Sequence, residues 1–134
     1  NPNNSYFNPA NPSQGNTKNC IWMYPDAGSG VNVTYAETEV PYVVDGYVQK
    51  PDGTMTIGAG AIIKFPSGNT YGLNVGTLNL SPSAYLTSIK DDSLGGDTNG
   101  DGNASVPSGG EWYGYYNWTT SAWVNASNIL FAMN

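Results

Sequence analysis

The sequence predicts an all-β chain: a short parallel β-helix (β-solenoid) of about three to four coils with an extended N-terminal arm, a β-sandwich being the alternative. Three observations carry this. No stretch sustains a 3.6-residue apolar period, whereas short runs rich in β-branched and aromatic residues follow one another between Gly-, Pro- and Asn-rich turns. Inward positions recur at an offset of 18, with Met55 and Ile57 falling on Leu73 and Val75, and Val44 on Ile62 and then Leu80. Successive coils of a wound strand repeat in this way, each hydrogen-bonded to its neighbours about 4.8 Å away. Finally, only 10% of residues are charged, against about 25% in an average domain, while Tyr (10) and Trp (4) are abundant. Such a chain folds, and its surface is neutral and polar.

Residues 1–19 contain three Asn-Pro steps and almost no hydrophobes, so they read as the arm, leaving 20–134 as a single β domain. The apolar cluster Cys20-Ile21-Trp22-Met23-Tyr24 opens that domain. Strands are then expected at 31–35, 40–44, 54–57, 61–65, 71–75, 77–80, 85–89, 112–118 and 128–133. Pro51-Asp52-Gly53, Pro66-Ser67-Gly68-Asn69 and Ser81-Pro82-Ser83 supply turns between them. The expected interior is Val44, Met55, Ile57, Ile62, Leu73, Val75, Leu78, Leu80 and Leu86.

Charge narrows the function. The chain has 10 acidic residues, four Lys, no Arg and no His, for a net charge of −6. Nothing here forms the basic stripe that phosphate neutralisation or an anionic membrane surface requires. No apolar run is long enough to span a bilayer as a helix. The sequence opens at Asn1 without Met or an apolar leader, which reads as a mature exported product, secreted and cell-surface associated. Six N-x-[ST] sequons, at Asn3, Asn32, Asn79, Asn103, Asn117 and Asn125, fit that location as glycosylation candidates. The single Cys20 has no partner for an intramolecular bridge and reads as a small buried hydrophobe or an intermolecular link.

The most specific chemistry lies at residues 91–103. Four of the ten acidic residues, Asp91, Asp92, Asp97 and Asp101, are packed there among Gly and Asn. Asp97-x-Asn99-x-Asp101-Gly102 spaces oxygen ligands at every second residue, the pattern of a loop wrapped around a hard cation, and calcium is the expected ion. It is not an EF-hand, because the twelfth position from Asp97 is Ser108 rather than Glu. Asp97, Asn99 and Asp101 are therefore the expected core ligands, with Asp91, Asp92 or Glu111 assisting; a solvated Asx-rich loop without an ion is the alternative.

Several segments resemble, in order, the right-handed parallel β-helix repeat proteins of bacterial and archaeal cell surfaces. They are Thr54-Met55-Thr56-Ile57 through Ile62-Ile63-Lys64-Phe65, Gly76-Thr77-Leu78, Leu86-Thr87-Ser88 through Gly102, and Gly110-Glu111-Trp112-Tyr113-Gly114. The likeness covers roughly residues 40–116. It implies a right-handed winding, secretion, and an acidic loop projecting from one corner. Glu111 stands where that family often has Asp, and Tyr113 where it often has Gly.

Catalysis has few materials without His or Arg, and the carboxylates sit in a Gly-rich loop better suited to a cation than to a positioned acid and base, so no enzyme is expected. Trp112, Tyr113, Tyr115, Tyr116, Trp118 and Trp123 could stack on sugars, which gives a carbohydrate-binding or adhesive module as the alternative function. The first expectation is a calcium-stabilised extracellular subunit that self-assembles into a fibre, sheath or surface layer, its partners being copies of itself. Open strand edges, the arm, or the apolar run Asn128–Met133 would make the contacts.

Overall fold

The structure, a computed structural model, describes residues 18–23, 30 and 32–134. Most of the expected arm, with Asn3, Tyr24 and Val31, lies outside the described residues. The described chain is all-β: β1 (Ile21–Met23), β2 (Val33–Tyr35), β3 (Tyr42–Val44), β4 (Tyr47–Ile57), β5 (Ile62–Phe65), β6 (Gly68–Leu80), β7 (Tyr85–Ser88), β8 (Trp112–Asn117) and β9 (Ala122–Val124). Successive strands up to β8 alternate between two sheets. One has the order β1-β3-β5-β7 and the other β2-β4-β6-β8-β9. Every pairing between these strands is parallel except β8–β9.

The side-chain alternation works strand by strand. In β4, Met55 and Ile57 are buried while Thr54 and Thr56 are less so, and in β6 Leu73 and Val75 are buried on either side of Asn74. Val44, Met55, Ile57, Leu73, Val75 and Leu86 take their expected interior places. Leu78 and Leu80 are only half-buried, packed against the rim of the core, and Ile62 is half-buried too. Around Ile62 the run Ala61–Phe65 is apolar on both parities, and Ala61, Ile63 and Phe65 fill the core instead.

The offset of 18 is overturned. Paired positions in the parallel ladders from β1 to β7 stand 21 to 25 residues apart, as in Tyr42↔Ile63, Met55↔Leu78 and Val48↔Leu73, and those of β6 with β8 stand 42 to 44 apart. Each repeat carries one strand of each sheet and the two connections between them, which takes more than 18 residues. Pro51-Asp52-Gly53, expected as a turn, lies inside β4, where the register against β6 shifts between Lys50 and Thr54. Leu73 therefore pairs with Val48, and Met55 with Leu78.

Residues 128–133, expected as one strand available to a neighbour, are used within the chain. Ile129 bridges Leu86 and Ala132 bridges Trp112, both in parallel sense. Leu130 N–H donates to Leu86 O at 2.8 Å and Met133 N–H to Trp112 O at 2.7 Å. Asn128 fastens the corner, its Nδ2 donating to Ser81 O at 3.1 Å and to Ala84 O at 2.8 Å. β9, which the sequence did not signal, folds back on Tyr115–Asn117. Beneath this closure the Trp112 ring stacks on Phe65, centroids 3.9 Å apart and planes 5° from parallel, and its indole N–H donates to Leu130 O at 2.8 Å.

Candidate functional site

The acidic loop leaves the sheet after β7 and returns at β8. Its base is fixed from below by Lys64, which alternates with the core residues Ile63 and Phe65 in β5 and is itself fully buried. The Lys64 ammonium donates to Asp91 O at 2.9 Å and Gly96 O at 2.6 Å, so a strand side chain holds the loop by its backbone. Burial pushes the Lys64 pKa down, opposed by the surrounding charges of Asp92, Asp91 and Asp97.

Asp91 is a structural peg. It is 4% exposed, accepts from Thr87 Oγ1 at 2.7 Å, and accepts from the Ser93 amide at 3.2 Å. Glu111, expected as an assisting ligand, is also committed elsewhere. Its carboxylate pairs with Lys90 Nζ at 3.0 Å and accepts from Ser67 Oγ at 2.5 Å and Ser108 Oγ at 2.9 Å. Burial pushes the Glu111 carboxyl up, but the bonds from Ser67, Lys90 and Ser108 and the charge of Lys90 outweigh it and hold the pKa at about 2. Neither residue joins the carboxylate cluster, because each has a full set of donors at the loop's base.

What converges is Asp92, Asp97 and Asp101, each offering a carboxylate oxygen within 4.8 Å of the others. Asp97 is shaped by the turn it closes, accepting from the amides of Gly100 at 2.7 Å, Asp101 at 3.1 Å and Gly102 at 2.8 Å. Asp101 accepts from Asn99 Nδ2 at 2.8 Å and from the Ala104 and Ser105 amides at 3.0 and 3.1 Å. Those bonds, led by the one from the Ser105 hydroxyl, pull its pKa down against a small burial effect. Asn99 donates one amide N–H to Asp101 and a second to Ser105 Oγ at 2.9 Å, while its Oδ1 accepts from the Asp101 amide at 3.4 Å.

Asp92 differs from the other two. Its Oδ1 is buried and has no hydrogen-bond partner among the described residues. Burial, then the charge of Asp97, pushes its pKa up, with Lys64 pulling the other way. Three carboxylate oxygens at such separations fit the span of a calcium coordination sphere, whose six to eight oxygens lie about 2.3–2.6 Å from the ion. Backbone carbonyls and water would complete it.

The aromatic residues divide. Trp112 is fully buried and Tyr115 is 3% exposed, so neither can stack on a sugar. Strict alternation would put them on opposite faces, but β8 is irregular between Trp112 and Gly114, where its register against β6 shifts and Gly114 takes a positive φ, and both side chains enter the core. Tyr113, Tyr116 and Trp123 are half-buried and Trp118 is exposed. Of the sequons, Asn32, Asn79, Asn103 and Asn125 are exposed, whereas Asn117 is half-buried and accepts from the Thr120 amide at 3.0 Å. Cys20 is a free, half-buried thiol whose pKa burial raises. Sequence reasoning missed Lys64; its signal was a lone charge inside the apolar run Ile62–Phe65. Comparison with protein families, with curated proteins and with solved structures gives no match.

Proposed function

We propose that this chain is a non-enzymatic, calcium-stabilised structural subunit of an extracellular fibre, sheath or surface layer, wound as a short right-handed parallel coil. The observation that carries the reading is the parallel stacking and how it ends. β1 and β2 terminate their sheets with one described neighbour each, whereas the opposite end is covered by β9 and residues 128–133 of the same chain. An unpaired strand edge is a template for another chain, and an end-to-side contact that does not close propagates. The acidic loop supports the calcium part, since three carboxylates and an orphaned Asp92 oxygen are stabilised by a bound cation and repel one another without it.

Calcium that binds only the folded state stabilises it by about 2.7 kcal/mol at a hundredfold excess over the dissociation constant. Thermal unfolding in calcium and in chelator, for the native chain and an Asp97→Ala/Asp101→Ala variant, measures this. An unchanged melting temperature on chelation removes calcium from the proposal. Electron microscopy and light scattering at micromolar concentration test the subunit role, and a monomer under all conditions ends it.

A further inference from the structure

We infer that the outer face of the β4-β6-β8-β9 sheet is a binding surface for a neutral glycan chain, independent of the calcium loop and of any assembly contact. On this face five rings run in continuous contact. Tyr47 meets Tyr113 at 5.8 Å, Tyr113 meets Trp123 at 4.8 Å, Trp123 meets Tyr116 at 5.2 Å, and Tyr116 meets Trp118 at 6.3 Å. All are edge-to-face, at 65° to 89° between planes, which holds the strip together, and Tyr47, Tyr113, Tyr116 and Trp123 are each half-exposed along it. Trp118, at 52% exposure, ends it.

The backbone beneath is built to seat these rings. Tyr47 lies on Gly72, where an added Cβ would stand 2.9 Å from the Tyr47 Cε2 and 3.2 Å from the Tyr113 Cβ. Across the next ladder, Gly114 pairs with Gly72, and its added Cβ would stand 2.6 Å from the Asn134 carbonyl oxygen and 3.5 Å from the Trp123 ring, so Asn134 closes on this position. Glycine at both positions weakens the strands; at Gly72 the compensation is close approach of the Tyr47 ring, and at Gly114 close approach of the Asn134 backbone.

The second observation is Asn74. Its neighbours Leu73 and Val75 are fully buried in the core, so alternation puts Asn74 on the outer face, in one row with Gln49, Tyr116 and Trp123. Its Oδ1 is buried between these neighbours and has no hydrogen-bond partner among the described residues. A buried acceptor without a donor is costly and rare in proteins. It lies in the row of Tyr116 and Trp123, and a ligand hydroxyl that displaced a neighbouring side chain would supply the donor.

The chemistry of the occupant follows. The outward positions Tyr47, Gln49, Asn74, Tyr116 and Trp123 carry no charge. Ring faces take the C–H faces of a sugar and amides take its hydroxyls. A net charge of −6 disfavours acidic polymers. A neutral glycan is therefore the ligand, rather than a peptide or an anionic polysaccharide.

The test uses the full chain and hexasaccharides of neutral glucan, mannan and chitin type, with a uronic-acid polymer as the charged comparison, read by tryptophan fluorescence and calorimetry. At least one neutral probe is expected to bind, with or without chelator, and Trp118→Ala to weaken it about tenfold or more. Asn74→Ala gives the sharper result: binding weakens severalfold while the melting temperature holds or rises, because an unpartnered buried acceptor is gone. Absence of binding to every neutral probe overturns the inference. So does binding that both variants leave unchanged, or preference for the charged polymer. Loss of self-association in Trp118→Ala without glycan binding gives the face to a second copy of the chain and overturns it as well.

Discussion

Replacing Glu111 with Gln tests whether the loop's base is held electrostatically. The native carboxylate is 8% exposed and takes two serine hydroxyls and one ammonium. Its pKa is held at about 2 against an ordinary 4.5, a difference worth up to about 3 kcal/mol at neutral pH. Lys90 is 31% exposed and can turn to water when its partner is neutralised, which lowers the expected cost of the substitution to about 2 kcal/mol. The sign is fixed by the depressed pKa: the stabilisation is complete above about pH 4.5 and is lost as pH falls towards 2. Urea unfolding of native and Glu111→Gln protein from pH 7 down to pH 2 measures it. The gap should be about 2 kcal/mol at pH 7 and narrow below pH 4.5. A gap that is constant across this range, or under about 0.5 kcal/mol at pH 7, refutes the reasoning.

Lys64→Met keeps the buried stem but strips the donors from Asp91 O and Gly96 O, so unfolding free energy should fall by about 2–4 kcal/mol. Limited proteolysis should then cut first between residues 91 and 103; an unchanged cleavage pattern contradicts the anchor role. Ile57→Asp places a charge at a position 1% exposed and should abolish folding, since such a cost rivals the whole stability of about 5–15 kcal/mol. Soluble, folded Ile57→Asp protein would disprove the inward assignment. Deleting residues 128–134 uncovers Leu86 and Trp112 and should cause aggregation visible by light scattering, whereas a soluble, equally stable monomer argues against the closure.

The parts legible in the sequence were those written by alternation within one strand. Thr54-Met55-Thr56-Ile57 states which side faces in, and the structure obeys it. How strands stack was not legible, because the length of each repeat is set by the connections between strands, and Pro51-Asp52-Gly53, which reads as a turn, is absorbed inside β4 as an irregularity of its ladder with β6. In the loop, Asp97 and Asp101 share a local spacing that announces them. Asp92 reaches them only through the turn at Gly95 and Gly96, both at positive φ, with Gly95 backed against Pro41. Asp91, one residue away, spends its carboxylate on Thr87 and Ser93. Adjacent identical residues thus diverge because one points into protein and the other towards the cluster, which composition cannot encode.

The parallel ladders also govern how the chain reaches this state. Ile21 waits for Tyr42, Ile62 for Tyr85, Gly72 for Gly114 and Leu86 for Ile129, separations of 21 to 43 residues. The antiparallel β8–β9 turn through Ser121 is the one strand pairing here that two neighbouring segments can make by themselves. Loop closure must come before most native contacts return anything, so acquisition of the fold belongs to the slow, milliseconds-to-seconds regime of high contact order. During that interval apolar edges such as Tyr42-Val43-Val44 stand open, and a crowded solution would capture them. If the loop binds calcium as proposed, and only when formed, it is a latch on the finished product: it would act on the rate of escape and leave the search itself as slow as the topology makes it.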